Sequence, residues 1–283
     1  MQEGTLLPKV YIIILNWNGL EDTTECLESL KKITYPNYQV LVIDNASDGN
    51  DVRILREKFG DYAPVLKNRY NYGFQKGSNI GMQLAIDDGA DYVLLLNNDT
   101  VVKPDFLDKL VEVSESNSQL GILSASIHNY YSHQDLDPVC IMPMEVDWWR
   151  NSAKRLEGGI VTGQLIETEY IVPVACLIKK STIESIGYLC EDFFLTVGDT
   201  DYCIRAKRAS IGMAVVTNSI VYHKGGSAID KGLAKNRLNW SRVWEGYIGW
   251  QRLRWGYLSK PMYVLTSIGL LGYWGYRLVR RII

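Results

Sequence analysis

Three short runs of apolar residues constrain the fold of this chain more than any other feature. They are KVYIIIL (residues 9–15), QVLVID (39–44) and DYVLLLN (91–97). Each run is apolar at nearly every position, as expected for parallel strands that are covered on both faces. The runs therefore predict the buried strands of one sheet.

Helical patterns separate these strands. Residues 19–32 have their apolar side chains on one side, and the segments 51–60 and 77–89 each end at a glycine, as helices commonly do. Strand alternates with helix through residue 116, which predicts βαβ units and a mostly parallel sheet of the α/β class.

The pattern loosens after the strand expected at 121–126. Residues 128–157 are expected to form an irregular excursion. Two further strands are predicted, in GGIVTGQ (158–164) and EYIVPVACLIKK (169–180). Pro173 lacks a backbone N–H, which places the second of these strands at an edge or a bulge.

The last elements predicted before the tail are a helix and two strands. The helix covers residues 198–212, and MAVVTNSIVYHKGG (213–226) is expected to form a pair of strands. A chain of 283 residues is expected to form one large domain, or one domain with an appendage.

The cysteines and the N-terminus indicate a cytoplasmic compartment. The five cysteines are scattered, odd in number and without CxxC spacing, which favours reduced thiols over disulfides or a zinc site. The N-terminus lacks the basic start, apolar segment and cleavage site of a signal peptide. We therefore expect a cytoplasmic protein.

The net charge of −2 conceals an uneven distribution. Residues 231–283 contain ten Lys or Arg and one acid, Glu245, so they carry +9 and the first 230 residues carry −11. Five of the eight tryptophans also lie in this tail. A nucleic-acid-binding protein is not indicated, since its basic residues would be expected in the folded core.

The composition of the tail favours contact with the inner face of the cell membrane. Residues 239–260 mix Trp, Tyr and Arg, which suit the interface with anionic lipid. The uncharged run 261–276 is shorter than the roughly 20 residues of a spanning helix. The alternative is a pair of helices that pack on the catalytic domain or on a second subunit of a homo-oligomer.

Four polar clusters accompany the strands of the predicted sheet. They are LNWNG (15–19), IDNASDG (43–49), NYGFQKGSNIG (71–81) and NNDT (97–100). Because parallel strands end at the same edge of a sheet, these clusters are expected to line one crevice.

The chemistry of the clusters fits a nucleoside diphosphate. Asp44 can accept the N–H of a pyrimidine base, and Asp99 can bind a divalent cation. Glycines at 73, 77 and 81 let backbone approach a ligand, and a helix beginning near Gly77 would direct N–H groups at phosphate. No GxGxxG follows the first strand and no Walker A lysine is present, which disfavours dehydrogenases and P-loop proteins.

Six motifs, in this order and spacing, resemble family 2 glycosyltransferases of the GT-A fold. They are ILNWNG, VIDNASDG, NYGFQKGSNIG, LLLNND, FFLTVGDTDYCIRAKRASIG and VYHKGG. The resemblance is to the branch that includes many rhamnosyltransferases of surface-polysaccharide synthesis. It implies a Rossmann-like GT-A catalytic domain over residues 1–230, with a mostly parallel sheet flanked by helices, and a helical tail over 231–283.

The resemblance also implies a donor site. Asp44 would meet the base with Asn16 nearby, while Asn71 and Asn79 would shape the donor pocket. The residues implied to bind the nucleotide sugar are Asn16, Asp44, Asn71, Gly73, Gly77, Asn79, Asn97 and Asn98.

A metal site is implied by the same resemblance. NND stands in the place of the DxD motif, so its last carboxylate, Asp99, would hold a divalent Mg²⁺ or Mn²⁺ that bridges the two phosphates. Asn97 stands where the first Asp of the motif would be. His223 in VYHKGG matches a histidine that completes the metal site, although it could instead have a purely structural role at a strand end.

The motif GDTD is expected to supply the catalytic base. The family shows Glu-Asp here, and Gly198 replaces the Glu while Asp199 keeps the Asp. Asp199 would take a proton from the acceptor hydroxyl, or else act only as a helix cap. Asp201 has Arg205 four residues on, which predicts a structural ion pair.

These roles imply an inverting transfer of a sugar to a hydroxyl of a lipid-linked or growing surface glycan. The donor favoured is dTDP-rhamnose, with a UDP-sugar as the alternative. The departures at Asn97 and Gly198 leave open a non-catalytic nucleotide-sugar-binding subunit that assists a partner glycosyltransferase. A nucleotidyltransferase would need a Gly-rich, basic loop after the first strand, which LNWNGLEDTTE lacks.

Overall fold

A computed structural model describes residues 7–131, 144–155, 161–162, 164–225 and 240–268. Its helices are α1 (Leu20–Leu30), α2 (Asp51–Phe59), α3 (Gly73–Asp87), α4 (Phe106–Ser116), α5 (Lys180–Ile186), α6 (Gly198–Arg208) and α7 (Trp240–Tyr257). Its strands are β1 (Val10–Asn16), β2 (Tyr38–Asp44), β3 (Val65–Lys67), β4 (Tyr92–Asn97), β5 (Thr100–Val102), β6 (Leu120–Asn129), β7 (Met144–Asp147), β8 (Ser152–Arg155), β9 (Val161–Thr162), β10 (Leu165–Glu167), β11 (Ala175–Lys179) and β12 (Gly212–His223).

All these strands except β7 and β8 form one ten-stranded sheet, in the order β3-β2-β1-β4-β11-β6-β12-β10-β9, with β5 paired to β12. The first four strands in this order run parallel, which confirms the βαβ units predicted from the sequence. β11 is antiparallel to both of its neighbours, while β6 and β12 pair in parallel. The predicted α/β class is confirmed. The sheet also contains antiparallel pairs beside the parallel strands β3, β2, β1 and β4.

Both faces of the sheet are covered, as the apolar runs predict. Val10, Ile12 and Ile14 of β1 enter a core that also contains residues of α1, α2 and α4. Tyr11 and Ile13 point the other way, into a core shared with α3, α5 and α6. Since successive side chains of a strand point to opposite faces, a strand between two helical layers is apolar at both.

The edge position expected from Pro173 was wrong. β11 begins at Ala175, two residues after the proline, and lies between β4 and β6 in the sheet. The missing N–H of Pro173 therefore falls outside the ladder, and it does not limit the strand to an edge.

Three other predictions about the second half need correction. β12 is one strand with an irregularity between Val216 and Ile220, where a pair of strands was predicted. α6 ends at Arg208, four residues before Gly212. Within the expected irregular excursion, β6 continues to Asn129 and β7 pairs with β8 as a hairpin. Its residues 132–143 and 156–157 lie outside the described residues.

The described part of the tail packs on the rest of the chain. α7 contributes Leu253, 1% exposed, to a small core with Phe193 and Val197. A second helical stretch follows at 260–268. Among the described residues, no helix combines the length and the apolar character needed to cross a membrane. The boundary expected at 230 and 231, and residues 269–283 with Trp274, lie outside the described residues.

Candidate active site

The parallel register brings the polar ends of β1, β2 and β4 together. Asn16 at the end of β1 lies opposite Asp44 at the end of β2, and Leu15 lies opposite Asn97 at the end of β4. These residues share one edge of the sheet, where open α/β sheets bind ligands.

Asn16 and Asp44 form a completely buried network at this edge. The Asn16 side-chain amide donates to Asp44 Oδ2 over 2.8 Å and accepts from the Thr23 hydroxyl over 2.7 Å. Ser47 donates its backbone N–H to Asp44 Oδ1 and its hydroxyl to Asp44 Oδ2. Both side chains therefore shape the loop that follows β2 at the strand-end edge.

The expected start of the third helix was wrong. α3 begins at Gly73, four residues before Gly77, because Asn71 Oδ1 accepts the Gly73 N–H and Gly73 has a φ of +79°. Gly77 is buried one turn inside the helix, where a Cβ would lie 2.6 Å from Leu15 Cδ1. It therefore serves close packing of α3 on β1, and its N–H is not at the helix start.

Gly73 and Asn79 connect α3 to the segment that precedes α6. A Cβ at Gly73 would lie 2.1 Å from the Phe194 carbonyl oxygen, so only glycine fits at this approach. Asn79 forms two hydrogen bonds with the backbone of Leu189. Its amide N–H donates to the Leu189 carbonyl over 2.9 Å, and its Oδ1 accepts the Leu189 N–H over 3.0 Å. These two residues therefore fix the segment that precedes α6 against α3.

Asp99 and His223 lie together after β4 and at the end of β12. His223 Nε2 is 3.1 Å from Asp99 Oδ1, and Asp99 is 7% exposed. β12 brings them together, because His223 pairs with Thr100 across the β5–β12 ladder. Two residues 124 positions apart in the chain thus converge at the strand-end edge.

The chemistry of this pair fits a Mg²⁺ or Mn²⁺ ion. It supplies one carboxylate and one imidazole, which such ions accept as ligands. Within the described ranges, no group of three or more His, Cys, Asp or Glu side chains is suited to a metal. Two protein ligands are nevertheless sufficient where water and substrate phosphates complete the shell, as is usual for Mg²⁺.

Asn97 and Asn98 are half-buried beside this pair. The Asn98 amide donates to Thr23 Oγ1 over 2.9 Å, and the Asn97 carbonyl accepts from the Thr100 hydroxyl over 2.7 Å. The NND segment therefore forms a tight turn between β4 and β5 at the strand-end edge.

Asp199 lies in the first turn of α6 and does not cap it. The residue preceding the helix is Val197, and no side chain forms a capping hydrogen bond there. Asp199 Oδ2 instead accepts from the Tyr170 hydroxyl over 2.7 Å. Asp201 forms the ion pair predicted with Arg205, with Oδ2 2.8 Å from Nε, and also accepts from the Tyr257 hydroxyl.

Gly198 leaves room for a neighbouring side chain. A Cβ at this position would lie 2.2 Å from the amide of Gln75. With its amide oriented to donate, Gln75 hydrogen-bonds the carbonyls of Phe193 and Phe194 over 2.6 and 3.0 Å. Gly198, in place of the Glu that the resemblance implies, therefore leaves the space that the Gln75 side chain of α3 occupies.

Sequence reasoning missed a charged cluster beside the Asp99–His223 pair. Lys224 Nζ lies 2.8 Å from Asp22 Oδ1 and 2.6 Å from Glu25 Oε2, and its backbone N–H donates to the Asp99 carbonyl. Burial opposes the charge of Lys224, but hydrogen bonds to Asp22 and Glu25 raise its pKa. The signal available was the spacing of Asp22 and Glu25, which puts both on one face of α1.

Tyr170 was missed as well, because only the fold brings it to Asp199. Burial raises the pKa of Tyr170, and the charge and hydrogen bond of Asp199 raise it further. The phenol therefore keeps its proton and acts as a donor to the carboxylate.

Comparisons with known proteins point to one family. Residues 11–159 match the family described as Glycosyl transferase family 2. The dTDP-rhamnosyl transferase RfbF of Shigella flexneri is 21% identical over 222 residues, covering 76% of this chain and 68% of the relative. The low-salt glycan biosynthesis hexosyltransferase Agl10 of Haloferax volcanii is 25% identical over 219 residues, covering 75% of this chain and 66% of the relative. The chain thus spans about two thirds of each relative's length.

A solved structure shares the fold. GalNAc-T7, crystallised with UDP, GalNAc and Mn²⁺, aligns with a TM-score of 0.67 at 16% identity, over 77% of this chain and 44% of that chain. At this identity the likeness shows the GT-A fold, which confirms the fold expected from the sequence motifs.

Proposed function

This chain belongs to glycosyl transferase family 2, whose members are nucleotide-sugar-dependent transferases, and we propose that it transfers a sugar with inversion to a hydroxyl of a lipid-linked or growing surface glycan. The observation that carries the proposal is the Asp99–His223 pair, 3.1 Å apart at the strand-end edge. A carboxylate and an imidazole at that place suit a divalent cation, which would in turn bind the diphosphate of a nucleotide sugar.

The donor would lie along the ends of β1, β2 and β4. The loop shaped by Asp44 and Asn16 would face the base, and Asn97 and Asn98 would face the sugar and phosphates. A Mg²⁺ or Mn²⁺ ion held by Asp99 and His223 would supply Lewis-acid stabilisation of the charge on the leaving diphosphate.

Asp199 is the proposed general base. Its carboxylate takes the proton of the acceptor hydroxyl, whose oxygen bonds to the anomeric carbon as the bond from that carbon to the diphosphate oxygen breaks. A single displacement from the side opposite the nucleotide inverts the anomeric configuration. Tyr170 holds the carboxylate by its hydrogen bond to Oδ2.

The proposed donor is dTDP-rhamnose, with a UDP-sugar as the alternative. The support for dTDP-rhamnose is the likeness to RfbF. The support for a UDP-sugar is the shared fold with GalNAc-T7, which was crystallised with UDP.

The test is release of nucleoside diphosphate from dTDP-, UDP- and GDP-sugars, with and without Mn²⁺ or Mg²⁺, in the presence of a lipid-linked glycan extract. We expect turnover of one donor. Asp199→Asn should lower kcat by about 100-fold or more, because it removes the base. Asp99→Ala should lower turnover and weaken its dependence on the metal.

Asp61→Asn is the matched control, since this carboxylate is exposed and remote from the strand-end edge. It should leave turnover unchanged. Donor binding without turnover in every condition, with no effect of Asp199→Asn, would instead identify a non-catalytic subunit that assists a partner glycosyltransferase.

A further inference from the structure

A cavity of about 340 Å³ lies between the segment that precedes α6 and helix α7. None of the residues that line it is one of the proposed donor-binding or metal-binding residues. The polar and exposed aromatic side chains in its wall are Asp192, Phe194, Thr196, Trp244, Glu245 and Arg252.

The chemistry of this wall is that of a carbohydrate site. Trp244 is 63% exposed and Phe194 is 47% exposed, so both present aromatic faces to a ligand. The Trp244 ring stacks on Tyr247 with the centroids 5.6 Å apart, which orients the indole. Aromatic faces pack against the apolar C–H face of a pyranose ring, and a few charged groups hydrogen-bond its hydroxyls.

The polar groups of the cavity are held in place by the fold. The Arg252 guanidinium donates to the backbone carbonyl of Asp192 over 2.9 Å. Asp192 itself is exposed and lies at the rim of the cavity. Glu245 Oε1 accepts the Leu195 N–H over 2.8 Å and so joins α7 to the opposite wall. The cavity therefore offers both donors and acceptors, as sugar hydroxyls require.

The position of the cavity points to the acceptor. The Phe194 carbonyl accepts the Phe74 N–H, so one side of this wall contacts the start of α3 on the donor side. The other end of the wall, at Thr196, is three residues from Asp199. The cavity therefore adjoins, along the chain, the first turn of the helix that carries the proposed base.

We propose that this cavity binds a sugar residue of the acceptor glycan, with Trp244 and Phe194 as its aromatic platform. The inference rests on the proposed function for the acceptor role, while the binding of sugar can be measured without donor or metal. It makes α7 part of the substrate site.

The test is saturation-transfer NMR on the full chain, without donor, using the methyl glycosides of rhamnose, glucose, galactose and N-acetylglucosamine at millimolar concentrations. We expect at least one glycoside to bind. Trp244→Ala should weaken that affinity roughly tenfold, the loss expected for one aromatic contact, and Trp244→Phe should weaken it less.

Trp255→Ala is the matched control, because Trp255 is also 63% exposed on α7 but does not line the cavity. It should leave glycoside binding unchanged. The inference is overturned if no glycoside binds, if Trp244→Ala has no effect, or if both tryptophan variants lose glycoside binding equally. Failure of the proposed function would show separately, as no donor turnover by a chain whose glycoside binding still depends on Trp244.

Discussion

At the residue scale, the orientation of Asp199 depends mainly on a hydrogen bond from Tyr170, since the second one, from the Thr200 hydroxyl to Oδ1, is longer at 3.5 Å. Tyr170 donates to Oδ2 over 2.7 Å, and the raised pKa of the phenol keeps it a donor at neutral pH. Asp199 and Tyr170 are held by different elements, since Asp199 lies in α6 and Tyr170 precedes β11. The hydrogen bond therefore also links the proposed base in α6 to the segment that precedes β11.

Tyr170→Phe should lower kcat by roughly tenfold or more, because a hydrogen bond to a charged group contributes about 1.5–3 kcal/mol. The KM for the donor should change little, since Tyr170 hydrogen-bonds the proposed base and is not one of the proposed donor-binding residues. Steady-state kinetics measures both kcat and KM, with the donor that the nucleotide-release assay identifies. Tyr131→Phe, on a ring that is 67% exposed, is the control. A fall in donor affinity with kcat intact would contradict this role.

A second residue-scale effect concerns Glu25, which binds Lys224 beside the proposed metal pair. Hydrogen bonds from Lys224 and then Tyr130 lower the pKa of Glu25 below its ordinary value of 4.5. A carboxylate whose pKa is lowered in the folded state stabilises the protein at pH values above its ordinary pKa. That contribution is lost as the pH falls through the lowered pKa.

Glu25→Gln should therefore destabilise the chain at neutral pH and reduce the loss of stability on acidification. The effect should be about 0.5 kcal/mol, because the Glu25 side chain is 42% exposed and solvent screens the pair. Urea unfolding at neutral and acid pH measures it. Glu57→Gln, in an exposed pair with Arg53, is the control and should destabilise the chain less at neutral pH. Equal destabilisation by the two variants would contradict the argument.

At the scale of elements, α3 approaches β1 through glycines. Gly77 and Gly81 face Leu15 and Ile13 of the strand, and a Cβ at Gly81 would lie 2.5 Å from Ile13 Cγ2. The β-branched side chain of Ile13 is buried and has little freedom to move. The two glycines therefore set how closely α3 packs on β1.

Gly81→Ala should destabilise the chain by about 1–3 kcal/mol, the usual cost of overpacking a core. Gly256→Ala in α7 is the matched control. A Cβ there has no neighbour within 4 Å, so this change should be neutral or slightly stabilising. Chemical denaturation of both variants tests the contrast, and equal effects would show that helical propensity outweighs packing.

At the scale of the whole molecule, an acidic body carries a basic, aromatic tail. α7 is anchored on the body, because Leu253 is buried and Tyr257 donates to Asp201. The helical stretch 260–268 instead exposes several apolar side chains. These are Met262 at 39%, Val264 at 52%, Leu265 at 54% and Ile268 at 62%. We propose that this stretch contacts the inner face of the cell membrane.

The full chain should therefore bind vesicles that contain anionic lipid more tightly than neutral vesicles, and less tightly as salt is raised. Leu265→Asp should weaken binding roughly tenfold, because it puts a charge in place of an apolar side chain that the membrane would bury. Leu7→Asp, at a side chain that is 48% exposed, should have no effect. Co-sedimentation measures each case. Equal binding by wild type and Leu265→Asp would contradict membrane contact through this stretch.

The sequence by itself determined the parts of the protein that follow local rules. The three apolar runs correspond to β1, β2 and β4 within one residue at each end, because a strand covered on both faces is apolar at every position. The ion pair of Asp201 with Arg205 follows from helical spacing alone. The ordered motifs were sufficient for the family, which the match over residues 11–159 confirms.

Only the tertiary structure decided which side chains meet. Tyr170 reaches Asp199 across 29 residues, Glu245 reaches Leu195 across 50, and Lys224 reaches Asp22 across 202. No periodicity encodes such contacts, since they depend on how the elements pack. The central place of β11 belongs to the same class, because its neighbours β4 and β6 come from distant segments of the chain.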